Sequence, residues 1–171
     1  MVPYKVDWEI RSPGRYTMFI EFSPDARFLA VGYRGFPSLC LLDSTDEYNP
    51  RLSISTLENP TALVWETPCA FYVGLTDGRF TYYRVDPKGD KLITGPTNHF
   101  FHGVFPKFPI TAMGLDVDSK TLVLSVGPEV FAFRRIRATS KFRGFTRQLF
   151  RAQNSCFWRR ILFHQQNIKQ V

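Results

Sequence analysis

Three stretches of the chain repeat one pattern, and a chain that copies one unit must build its fold from that unit. The first runs from Phe19 as FIEFSPDARFLAVGYRGFPSLCLLD, the second from Thr61 as TALVWETPCAFYVGLTDGRFTYYRVD, and the third from Thr111 as TAMGLDVDSKTLVLSVGPEVFAFRRI. Each reads as an alternating apolar strand, a polar turn, a second apolar strand with a Val-Gly pair, another turn and a third strand. The pairs Val31-Gly32, Val73-Gly74 and Val126-Gly127 lie 42 and then 53 residues apart. That is close to the roughly 40–45-residue period of radially repeated four-stranded units. Copied units of this kind usually serve as scaffolds, not catalysts.

At 171 residues and 44% hydrophobic, the chain can bury one real core but not two large domains. Its 17 Phe and 7 Tyr sit mostly in alternating runs such as YKVDWEI, RFLAVGY, AFYVGLT and RFTYYRV. Flat and branched side chains in such runs pack well on a pleated surface, an all-β signature. No apolar run reaches the length of about 18 residues that a membrane-spanning helix needs. MVPYKVDWEI lacks the basic and then apolar regions of a secretory signal. Cys40, Cys69 and Cys156 are scattered and show no CxxC spacing, as expected of buried thiols in a reducing compartment. The expectation is an intracellular chain, cytoplasmic or nuclear.

Charge divides the chain. Residues 1–133 carry 12 basic and 15 acidic side chains, whereas residues 134–171 carry 10 basic and no acidic ones. We read residues 1–137 as a repeat body and 138–171 as a basic tail of the interaction type. In the tail, Phe142, Phe145, Leu149, Ala152, Cys156 and Arg160 share one face at helical spacing. This predicts an amphipathic helix from about Ser140 to His164, or an irregular segment.

In the body, strands are expected at Tyr4 to Ile10, Tyr16 to Phe22, Arg27 to Tyr33, Ser38 to Asp43 and Arg51 to Thr56. The second copy contributes Ala62 to Glu66, Ala70 to Leu75 and Arg79 to Asp86, with a further strand near Lys91 to Thr94. The third contributes Ile110 to Leu115, Thr121 to Val126 and Glu129 to Ile136. Ser23-Pro24-Asp25 and Thr76-Asp77-Gly78 are the strongest turn signals, since Pro presets φ and Asp can accept from the amides that follow.

At these repeats the chain resembles WD40 repeat proteins. FSPDARFLAVG is similar to the FSPDG-x-x-LASG passage joining the first two strands of a blade, and TDGRFTYYRVD to DDGTVRLWD at the next hairpin. The resemblance covers about residues 16–136. It implies an all-β fold, a partial β-propeller of about three four-stranded WD40-like blades followed by the basic helical or irregular tail. The chain departs from the family where Leu42-Asp43, Val85-Asp86 and Arg134-Arg135 replace the closing Trp-Asp. The family's Asp-His-Ser-Trp network is not assembled, although Asp77 matches its Asp. Three blades are fewer than the about four to eight that close a ring. The chain is therefore expected to be a fragment, or a truncated or divergent member, of a larger propeller, completed by further blades or by self-association.

Catalytic signatures were sought and none is expected. His99 and His102 form a pair without a third ligand, and no GxSxG, HExxH or phosphate-binding loop occurs. No enzyme activity, metal or cofactor is expected. The function expected is a non-catalytic protein-interaction scaffold whose loops a partner reads, with Phe36, Tyr48, Asp77 and Phe100 as candidate contacts. The alternative is binding of nucleic acid or another acidic surface through Arg143, Arg147, Arg151, Trp158, Arg159 and Arg160, where arginines interleave with stacking aromatics.

Overall fold

A computed structural model describes residues 15–35, 38–86, 89–98, 108–118, 121–127, 129–134 and 148–150. They form three four-stranded antiparallel sheets, each a blade that runs outward from its first strand. Blade 1 contains β1 (Tyr16–Phe22), β2 (Phe28–Arg34), β3 (Leu39–Asp43) and β4 (Asn49–Ile54). Blade 2 contains β5 (Pro60–Thr67), β6 (Ala70–Leu75), β7 (Phe80–Val85) and β8 (Leu92–Asn98). Blade 3 contains β9 (Ile110–Asp116), β10 (Thr121–Val126), β11 (Glu129–Arg134) and β12 (Gln148–Phe150). The inner strands β1, β5 and β9 pack in succession, with β2 also meeting β5 and β6 meeting β9. The chain is a partial β-propeller. Among the described residues, no helix is long and apolar enough to cross a membrane.

The repeat is more regular in register than in sequence. Each inner strand carries an irregularity at the same place, one residue being skipped in the pairing at Met18, Thr61 and Thr111. Thr61 and Thr111 repeat even a side-chain bond: their hydroxyls donate to the carbonyls of Gly74 (3.2 Å) and Ser125 (3.4 Å). Aligned on these registers, Gly32 and Gly74 are equivalent, but their third counterpart is Ser125. Gly127 lies beyond the strand in a turn at φ 57°. The third Val-Gly pair is thus a sequence coincidence, two residues out of phase with the other two.

Two interblade cores result. Phe28, Ala30, Leu39 and Leu41 of blade 1 cluster with Leu63, Trp65, Phe71, Val73, Leu75, Tyr83 and Val85 of blade 2. The opposite face of blade 2, with Ala62, Tyr72 and Phe80, closes on Ile110, Leu122, Leu124, Val126, Phe131 and Phe133 of blade 3. A Cβ on Gly74 would stand 2.7 Å from Cγ2 of Ile110 and 2.9 Å from its Cβ, closer than carbon atoms pack. The missing side chain is the space into which the next blade's first strand fits.

Two expectations are corrected. The strand expected from Arg51 to Thr56 runs from Asn49 to Ile54, so Pro50 lies in β4. It pairs with Leu42 where the register shifts past Arg51, an edge-strand irregularity that tolerates a missing N–H. Within the tail, residues 148–150 are strand, not helix: Val130, Phe131 and Ala132 pair with Phe150, Leu149 and Gln148. The outer edge of β11 offers backbone groups that Gln148–Phe150 pairs with, and that pairing outweighs the helical periodicity there. The expected strand at residues 4–10 and the rest of the tail lie outside the described residues.

The first turn departs from its family-like pattern at Ala26, which adopts φ 59° where FSPDG has glycine. Left-handed backbone costs a residue with a Cβ about 1–2 kcal/mol. Ala26→Gly is expected to raise stability by about 0.5–1 kcal/mol after the added unfolded-state entropy is deducted, measured as a higher urea midpoint. Gly74→Val should lower stability by about 1–3 kcal/mol through overpacking against Ile110. Ser125→Ala, at the equivalent but only half-buried position, should change stability by less than about 1 kcal/mol.

Candidate functional site

Turn carboxylates, plentiful in the sequence, are built into the backbone. Asp25 accepts from the Ser23 hydroxyl (2.6 Å) and from the Arg27 amide (3.2 Å), while the Ser23 oxygen accepts from the Phe28 amide (2.9 Å). The Ser23 bond, with the Arg27 amide and charge behind it, outweighs the effect of burial and holds the Asp25 carboxyl below its ordinary value. Asp86 accepts from the amides of Asp90 (2.7 Å) and Lys91 (2.9 Å), closing the β7–β8 turn. Asp77 accepts from the Arg79 amide (3.1 Å) and pairs with the Arg79 side chain.

The sequence-predicted contacts separate on this basis. Asp77, little exposed and engaged by Arg79, shapes its turn and offers no free carboxylate. Tyr48, at φ 58° after β3, folds back on the cluster of Leu29, Val31, Tyr33, Cys40 and Leu42 and meets Phe22 edge-to-face at 6.2 Å. It covers core and does not project as an anchor. Phe36 and Phe100 lie outside the described residues, as do His99, His102 and the tail residues Arg143, Arg147, Arg151, Trp158, Arg159 and Arg160. Cys40 is buried and Cys69 half-buried, both as free thiols. Among the described residues, no three His, Cys, Asp or Glu side chains are placed to hold a metal.

A polar centre that sequence reasoning missed is Asp43, the last residue of β3 and wholly buried. Its Oδ1 accepts from the Thr45 amide (3.0 Å) and hydroxyl (2.7 Å), capping the short 3-10 turn Ser44–Asp46. Its Oδ2 makes no hydrogen bond but lies 3.5 Å from a guanidinium nitrogen of both Arg27 and Arg51. Arg51, the residue skipped in the β3–β4 register, also donates to the Gly89 carbonyl (2.8 Å) and pairs with Asp90 (3.2 Å) in blade 2. One acid therefore ties the β1–β2 loop, the β4 edge and the neighbouring blade together. The only sequence signal was its place, where a closing Trp-Asp is expected.

The open surface is at β1. Tyr16, Met18, Ile20 and Phe22 are all exposed, Ile20 at 59% and Phe22 at 51%. By register Ile20 corresponds to Leu63 and Met113, and Phe22 to Trp65 and Leu115. Those four counterparts pack in the interblade cores. Exposed apolar side chains grouped on one strand mark an interaction surface more surely than scattered ones do.

Burial pushes the Asp43 carboxyl up, but the Thr45 bonds and the Arg27 and Arg51 charges together hold it below its ordinary value. A lowered folded-state value means that the stability Asp43 contributes is complete above the ordinary carboxylate range near pH 4 and is lost as pH falls through the lowered value. Asp43→Asn is expected to cost about 1–2 kcal/mol at pH 7 and to flatten the acid side of the stability profile. Urea unfolding between pH 7 and pH 2 measures both; an unchanged profile would show that the Arg27–Asp43–Arg51 cluster contributes nothing.

No protein-family model and no curated protein sequence matches the chain. Solved structures do match in fold. The Cps50 (Swd1) β-propeller domain of Myceliophteria thermophila superposes with a TM-score of 0.60 at 13% identity, over 81% of this chain and 44% of that one. The periplasmic gluconolactonase PpgL of Pseudomonas aeruginosa gives 0.62 at 17% identity, over 78% and 41%. A protein from Lactobacillus plantarum gives 0.63 at 15% identity, over 80% and 42%. The chain thus spans less than half the length of each of these structures, and at such identities the likeness establishes the propeller fold and nothing finer.

Proposed function

We propose that the chain is a non-catalytic protein-interaction scaffold of WD40 type, forming part of a larger propeller inside the cell. The observation that carries this reading is a body of packed blades whose loops are tied down by their own carboxylates. Rigid presentation is the mechanism: loops anchored at Asp25, Asp43, Asp77 and Asp86 lose little entropy when a partner binds, so contacts at the surface convert more fully into affinity. Support for the WD40 type comes from Ser23-Pro24-Asp25 at the β1–β2 turn and Asp77-Gly78 at the β6–β7 turn, the places those motifs hold in the family. The Cps50 domain's similar fold agrees with it, although a gluconolactonase shares that fold.

A second reading rests on charge segregation, since residues 134–171 hold 10 basic and no acidic side chains. Here the tail grips a polyanion such as RNA, and the blades are its support. Removing the whole tail would also remove β12 from blade 3, so charge neutralisation is the cleaner test. Affinity purification of the full chain from cells, wild type beside a variant with Arg143, Arg147, Arg151, Arg159 and Arg160 changed to Gln, should return the same protein partners. Loss of all partners, together with loss of salt-sensitive binding of the pure chain to poly(U) RNA, would move the function to the tail. Gluconolactone hydrolysis should proceed at the buffer's background rate; acceleration by the pure chain would end the non-catalytic reading.

A further inference from the structure

The two ends of the three-blade array carry the two halves of an interface that the chain already builds twice. On the side facing the preceding blade, each inner strand presents large side chains: Leu63 and Trp65 in β5, Met113 and Leu115 in β9. On the side facing the following blade, the inner two strands carry small residues among large ones: Ala30 and Gly32 beside Phe19 at the first interface, and Ala62 and Gly74 beside Tyr72 at the second. Among the described residues, blade 1 leaves the large half unmatched, at Ile20 and Phe22. Among the described residues, blade 3 leaves the opposite half unmatched. Ala112 and Thr111 are exposed there, and Gly114, Val123, Ser125 and Ala132 are only half-buried on the same face.

We infer that the occupant of both faces is a second copy of this chain, docked so that β1 of each copy lies on β9 and β10 of the other. The argument is continuity. Ile20 occupies the register position of Met113, which seats on Gly74 together with Ile110; Ser125 occupies the register position of Gly74. Placing Ile20 over Ser125 and Phe22 beside Ala112 and Val123 repeats the register of the internal contact, with Thr17 at the position of Ile110 and a serine side chain where Gly74 has none. The rest of this face of blade 1, at Leu29, Val31, Tyr33, Cys40 and Leu42, is already buried. What remains open is an inner-strand contact, the kind that joins blades 1, 2 and 3.

Two such contacts related by a two-fold axis give a ring of six blades, within the range of about four to eight in which propellers close and lose their open ends. The inference stands on the propeller fold and is independent of whether the finished ring binds proteins or RNA.

Sedimentation equilibrium of the full chain across a wide concentration range tests it. The expected mass is twice the 19.8 kDa of one chain, with no larger species. Ile20→Asp with Phe22→Asp on one face, or Ser125→Arg on the other, should each halve that mass while the strand circular-dichroism signal is kept. Ile20→Asp alone and Ala112→Arg, both at exposed positions, replace either variant should it unfold. Because the two faces differ, mixing the two variants leaves one sound contact and should restore dimers in the mixture alone. A wild-type chain that stays monomeric, a mass that grows without limit, or a dimer that survives both Ser125→Arg and Ala112→Arg would each overturn the inference. The last outcome would mean that β1 pairs with itself.

Discussion

The fold depends on side chains of each inner strand seating against the blade before it. A single blade cannot stand alone. β2, β3 and β6 are buried along almost their whole length on both faces, so a lone sheet would expose two apolar surfaces. Stacking removes that cost only if the faces differ, because two bulky faces hold each other apart and two small ones leave voids. Gly74 beneath Ile110 and Met113 shows how closely the two halves fit. The same difference gives the array a direction, which a stack of symmetric sheets would lack.

Polar chemistry does less to bind the blades, and it does so in its own way. Where the resemblance to WD40 repeats leads one to expect a network anchored on a closing Trp-Asp, blade 1 keeps the acid without the tryptophan. Asp43 is fully buried and recruits two arginines from different segments. The skipped register at Arg51 is what frees its side chain to reach across to Gly89 and Asp90, so one irregular strand both tolerates Pro50 and supplies the interblade link. Asp77 has turned inward to its own neighbour Arg79. Each carboxylate still serves its turn, but the chain of contacts joining one turn to the next runs through different partners.

The strands were legible because their period-two alternation is strong: Tyr16–Phe22, Ala70–Leu75 and Thr121–Val126 have the bounds read from sequence. What was not legible required a partner strand or a register. The third Val-Gly pair matched by eye, yet pairing with Ile110 places Val126 opposite the position of Leu75 and leaves Ser125 as the true counterpart of Gly74. Helical spacing in the tail carried no information about the vacant edge of β11, which decides the conformation of Gln148–Phe150. The site was harder still. Tyr48 and Asp77 were singled out as residue types suited to interfaces, but whether an aromatic projects or folds back depends on the left-handed turn at Glu47 and Tyr48, which composition does not reveal. Asp43 and Ile20 look ordinary in sequence; burial of the first and exposure of the second make them matter.

The directional interface also explains why exposed apolar surface is unequal at the two ends. Leaving the large half bare strands Ile20 and Phe22 in water, at a cost of about 1.5–3 kcal/mol for each such side chain that a neighbour would bury fully. Leaving the other half bare exposes Thr111 and Ala112 and half-exposes Gly114, Val123, Ser125 and Ala132, at less cost. Covering β1 with a neighbouring blade would remove that cost. Such a neighbour must leave room at the register position of Gly74, where Ile110 and Met113 seat, whereas the position of Ala62 tolerates bulk, as Phe19 of blade 1 shows. That steric rule, rather than any single polar contact, is what selects the surface that can adjoin β1.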